Sequence, residues 1–184
     1  MFNERRVAQM AAYILDGAKG RMKYLRLMKL LYLSDRESMK RNGHPISGDR
    51  YVSMEHGPVL SHTLNLINGA VKFQERGWGY WIADRADYEI SLKRRVSRAA
   101  LDELSDADID VLDDVLAKFG KIDQWKLVDY THRYCREWKD PKGSSVAIEY
   151  ETIFKALGRK PAEAKKMAAR VEHQRGIDKV FASL

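Results

Sequence analysis

The stretch "YLRLMKLLYL", residues 24–33, restricts the fold more than any other part of the chain. Only Arg26 and Lys29 interrupt it, so a helix here is apolar on nearly every side. Such a helix is stable only when protein surrounds it. The pattern therefore predicts a buried central helix over about residues 21–41. It turns amphipathic after Ser34 and stops at Asn42-Gly43, a good C-terminal signal. The remaining elements have to pack around it.

Upstream, Val7, Met10, Ala11, Ile14, Leu15 and Ala18 recur at helical spacing and predict an amphipathic helix over 4–18. Downstream, "HPISGDRYVSMEHG" has turn chemistry and then a short extended run over 51–54. Gly57-Pro58 reads as a helix start, with Pro58 in the first helical position, where its missing N–H does no harm. Val59, Leu60, Thr63, Leu64 and Ile67 form the buried face of that helix. Residues 71–96 carry aromatics, alternation and turns, and read as two or three short strands ending in a hairpin.

"LSDADIDVLDDVLAKFG" predicts a helix capped by Ser105 and ended by Gly120. "IDQWKLVDYTHRYCREW" predicts another, capped by Asp123, with Trp125, Leu127, Val128 and Trp138 packed inward. "IEYETIFKALG" is a short helix. Pro161 opens the last one, over about 161–182, whose stripe of Ala164, Met167, Ala168 and Val171 is weak and whose end past His173 is expected to fray. There is no internal repeat, low-complexity tract or linker. The expected fold is one domain over 1–184, mainly helical α+β, with a small antiparallel sheet near 71–96.

At 45% hydrophobic residues and four prolines, the 184-residue chain has the composition of a folded domain. Its single cysteine, Cys135, excludes a disulfide framework and argues against a cysteine-based zinc site. The start of the chain lacks the features of a secretory leader, and no apolar run has the length of a membrane span. A cytoplasmic location and no membrane partner are expected. The net charge of +7 is uneven: residues 1–100 carry +8 and residues 101–184 carry −1. A positive field of that kind attracts nucleic acid or an acidic protein face.

Catalytic and metal-binding patterns are weak. None of the five histidines forms an H-x-x-x-H or H-E-x-x-H pair. There is no G-x-S-x-G elbow and no glycine loop for phosphate. His132 and Cys135 lie one helical turn apart, but two groups without a third make neither a metal site nor an activated nucleophile. Glu55 and His56 are neighbours on an extended stretch and point to opposite faces, so they cannot converge as an acid–base pair. The expectation is no enzyme, no metal and no cofactor. Basic runs at "RESMKRNG" and at "SLKRRVSR", the second near Trp78, Tyr80, Trp81 and Tyr88, leave a nucleic-acid surface as the alternative.

Four segments taken together, "RMKYLRLMKLLYLSDRE", "GHPISGDRYVSMEHGPVLSHTLNLI", "LSDADIDVLDDVLAKFG" and "LVDYTH…EWKDPKGSS", resemble the Panacea-domain family over about residues 4–160. That family includes SocA-like antitoxins and phage-associated GepA-like proteins. The resemblance implies a small, mostly helical, non-enzymatic domain that neutralises a cognate toxin by direct contact. Toxic small alarmone synthetases are among the implied toxins. Delivery of the toxin to a Clp-type protease is a second implied role. The resemblance supplies no catalytic residues. A contact surface combining aromatics, arginine and a polar rim points to Arg50, Tyr51, Met54 and His56, and to Trp78, Tyr80 and Trp81. The chain leaves no room for a separate operator-binding domain, so sequence-specific DNA binding is not expected. The alternative is a nucleic-acid-binding accessory protein using the basic N-terminal half.

Overall fold

In the computed structural model, residues 2–181 are described, without the side chains of 178–181. Helix α1 (Glu4–Gly17) starts at Asn3, whose side chain accepts from the Arg6 N–H at 3.0 Å. Strand β1 (Arg21–Lys23) leads directly into α2 (Tyr24–Asn42), which Gly43 ends at φ +77°. Helix α2 is the centre of the fold. It packs against α1, α5 (Asp106–Phe119), α6 (Gln124–Tyr134), α7 (Tyr150–Ala156) and β3 (Gly57–Leu60). Its Leu27, Leu30 and Leu31 are completely buried. Each stabilises the fold by about 1.5–3 kcal/mol relative to exposure. The central helix expected from the sequence is there, shortened at its start by β1.

Helix α5 has a capping box: Ser105 and Asp108 each satisfy the other's backbone N–H. Asp123 caps α6 by accepting from the Trp125 N–H at 2.8 Å. The last helix, α8 (Pro161–Phe181), buries Ala164 and Val171. It continues past His173, and the expected last residue, 182, lies outside the described residues. The mainly helical α+β class holds.

The extended run expected over 51–54 is present, and the other strands are placed differently from expectation. Gly57-Pro58 begins a strand, not a helix. β2 (Tyr51–Met54) and β3 form an antiparallel hairpin with Met54 opposite Gly57, and α3 (Ser61–Ile67) starts only afterwards. Glu55 and His56 form the two-residue turn between them. Gly57 then takes the positive φ, +93°, that lets a tight turn rejoin the ladder. β5 (Val146–Ile148) adds to the other edge of β2, giving the order β3-β2-β5.

Within 71–96, the tryptophans form a helical turn, α4 (Trp78–Trp81). β4 (Glu89–Ser91) pairs with distant β1, with Met22 and Ile90 opposed on the buried face. The expected hairpin survives as the Ala86–Glu89 pair, closed by Asp87 and Tyr88 at φ +48° and +62°. Two positive φ values are the mark of a hairpin turn normally built from Asn and Gly. For tyrosine this conformation costs roughly 1–2 kcal/mol.

Candidate partner interface

The β2–β3 hairpin is held by two buried polar centres. The first is anionic. Asp35, on α2, is fully buried. It accepts from the N–H groups of Ile46 and Ser47 at 2.8 and 2.9 Å, from the Tyr51 hydroxyl at 2.8 Å, and from the Ser47 hydroxyl. Burial raises its pKa to about 6, against the lowering effect of these hydrogen bonds.

Asp49, equally buried, accepts from the N–H groups of Arg50, His62 and Thr63 at 2.6, 2.9 and 2.9 Å. It also accepts from the Thr63 hydroxyl at 2.7 Å and lies 2.8 Å from His62 Nδ1. Helix α3 has no cap of its own, and Asp49 supplies one from twelve residues upstream of Ser61. Above these carboxylates Tyr32, Tyr51 and Tyr150 pack edge to face, with ring centroids 5.7 Å apart in each contact. The Tyr32 hydroxyl and Arg36 Nε both donate to buried Glu137 at 2.6 Å.

The second centre is cationic. Lys29 is fully buried, and its ammonium donates to the Pro58 carbonyl at 2.8 Å. Burial lowers its pKa to about 7. Gly57 lies against the same ammonium: a Cβ there would stand 2.6 Å from Thr131 Oγ1 and 3.0 Å from Lys29 Nζ. The lysine of the central helix and the glycine of "HGPV" are therefore two halves of one contact.

His132 stacks on Trp138 at 3.9 Å, and the Trp138 indole N–H donates to the Met54 carbonyl at 2.9 Å. Cys135 is buried, and burial pushes its thiol up to about 12. A reactive thiol needs the opposite shift, so Cys135 is placed as packing. Among the described residues no cluster of three or more His, Cys, Asp or Glu side chains could hold a metal ion.

The residues picked from sequence divide by burial. Tyr51, Trp78 and Trp81 are only 3%, 2% and 3% exposed and face the core. Tyr51 is spent on Asp35, and the Trp78 N–H donates to Glu4 at 2.9 Å. Met54 and Tyr80 are half-buried, with the Arg94 guanidinium 3.4 Å above the Tyr80 ring. Arg50 and His56 are exposed.

His56, at the hairpin tip, meets the Trp125 ring edge to face at 5.3 Å, and Trp125 is 53% exposed. Sequence reasoning placed Trp125 inside its helix. It sits instead in the first turn of α6, off the Leu127, Val128 and Thr131 face that is buried. Spacing alone does not reveal this, since 125 lies at i−3 from buried Val128; its place in the first turn, at the helix end, leaves the ring open. The interface expectation thus narrows to Arg50, Met54 and His56, with Trp125 added, and Tyr80 apart from them on α4.

The chain matches the family model described as "Antitoxin SocA-like, Panacea domain" over residues 27–139. That span includes Lys29, both strands of the hairpin, Thr131 and Trp138. Neither the curated proteins nor the solved structures contain a match.

Proposed function

Because this chain belongs to the Panacea-domain family of SocA-like antitoxins, we propose that it neutralises a cognate toxin protein in the cytoplasm by direct binding. In this reading residues 1–184 act as one Panacea-like domain without catalysis, metal or cofactor. The family match is the observation that carries it. The exposed His56–Trp125 pair supports it as a contact surface: an aromatic anchor at the hairpin tip beside Met54, with Arg50 exposed at the opposite end of the same hairpin. Rigid aromatic anchors lose little conformational entropy on binding, and such residues dominate interface energies. Tyr51 supports that hairpin from inside, Trp78 and Trp81 hold α4 in the core, and Tyr80 with Arg94 offers a second edge.

Its toxin is a protein with a complementary apolar pocket and acidic rim, of which a small alarmone synthetase is one candidate. Co-expressing the product of an adjacent gene with and without this chain tests the proposal. Growth arrest relieved by the wild-type chain, and not by Trp125→Ala, is the expected result. No arrest, or relief that survives loss of both His56 and Trp125, would remove the proposal or its surface respectively. Repeating the assay in a host lacking the Clp protease separates simple blocking from delivery of the toxin for degradation.

A further inference from the structure

A second surface, formed by the β1–β4 ribbon and the start of α2, is built differently. We infer that it binds single-stranded nucleic acid, stacking a base on Tyr88 and holding neighbouring phosphates with Lys19, Arg21 and Arg26. Tyr88 is 70% exposed, the most open large hydrophobic residue described. It occupies the hairpin turn at φ +62°, where glycine would be relaxed. The turn is fastened to the body by the Tyr24 N–H, which donates to the Tyr88 carbonyl at 2.9 Å.

Behind Tyr88 lies a stack. The Tyr24 ring is 6.3 Å away and tilted by only 19°, and the Arg85 guanidinium sits 4.9 Å from the Tyr24 centroid. An exposed ring backed by a second ring and a guanidinium is the platform on which unpaired bases stack irrespective of sequence.

Beside this platform is a depression of about 520 Å³ lined by Lys19, Arg21, Lys23 and Arg26, against Glu89 and Asp123. Glu89 is taken by Lys23 at 3.5 Å, and Asp123 caps α6. Lys19 and Arg21 form no ion pair among the described residues, and Arg26 donates only to the Gly120 carbonyl. Lys23 joins the two parts, since its ammonium also donates to the Asp87 carbonyl of the turn at 3.1 Å. An acidic polypeptide would satisfy the cations but would not need the open ring. A nucleic-acid strand uses both, and the sugar is left to RNA and DNA arms of the test.

The test is fluorescence anisotropy of labelled 20-nucleotide U and T strands with the full chain, with a duplex and a poly-glutamate peptide as controls. Engagement of about three phosphates predicts a log–log salt slope near −2, or about 16-fold weaker binding from 50 to 200 mM salt. Tyr88→Gly is expected to weaken binding about 5- to 100-fold without lowering the thermal midpoint, because it relaxes the turn. Arg21→Glu should weaken binding and flatten the salt slope. Binding of either sugar on these terms supports the inference. Absence of binding at 50 mM salt, unchanged affinity in both variants, or equal binding of poly-glutamate would overturn it.

Discussion

Asp49 and Lys29 are both fully buried charges beside the same hairpin, yet they are treated in opposite ways. The carboxylate is met by three backbone N–H groups and a hydroxyl, with an imidazole nitrogen at 2.8 Å. The ammonium is given one carbonyl, that of Pro58. A fully solvated anion can be exchanged for one fully hydrogen-bonded by protein. A cation with a single acceptor is instead driven toward its neutral form. One centre thus holds the loop by saturation and the other by shape. Burial of a charge does not by itself say whether the charge is used.

Asp49→Ala breaks the saturated side and carries the largest expected effect. It orphans the buried donors at the start of α3, at a cost of about 3–5 kcal/mol, readable in urea denaturation. Next comes Gly57→Ala, expected at about 2–4 kcal/mol. Its Cβ meets Thr131 Oγ1 at 2.6 Å and its φ of +93° disfavours any side chain. A loss below about 1 kcal/mol would show that the shape-held side yields.

Lys29→Met sharpens the contrast, since it removes a buried charge and keeps most of the volume. It is expected to lie within about 1 kcal/mol of wild type at pH 7, on either side. The pH dependence is more telling. Lys29 has a folded pKa of about 7, below the ordinary 10.5, so the unfolded chain binds the proton more tightly. Wild type therefore gains stability as pH rises from about 7 toward 10.5, with a slope up to about 1.4 kcal/mol per unit. Lys29→Met should lack this slope. Asp35, at about 6 against 3.8, is shifted the other way. The folded chain holds its proton more tightly, so stability falls as pH rises from about 4 to 6, and Asp35→Asn should flatten that limb.

Trp125→Ala is expected to change stability least, by under about 0.5–1 kcal/mol, because the ring is 53% exposed. Its effect belongs to partner binding.

The sequence made the helices readable because their evidence is local. The all-apolar run of α2, the Ser105 and Asp123 caps and the Pro161 start each sit within the element they specify. Apart from β2, which matches the extended run over 51–54, the strands lie elsewhere than expected because their evidence is not local. β4 finds β1 some seventy residues earlier, and β5 reaches β2 from the other end of the chain. Gly57-Pro58 carries the same letters whether it opens a helix or rejoins a hairpin. What decides is the Lys29 ammonium and Thr131 on elements that only folding brings there. The interface suffered for the same reason: aromatic residue type could nominate Tyr51, Trp78 and Trp81, but only packing shows that they face inward.

Cys135 is the sole cysteine of the chain, is 1% exposed, and has its thiol pushed up to about 12. At neutral pH it offers almost no thiolate to an alkylating reagent. The native molecule is therefore already a cysteine-silent scaffold for spectroscopy. A single thiol introduced at exposed Glu55 would carry a fluorophore or spin label at the hairpin tip alone, reporting on a partner's arrival without background from the interior.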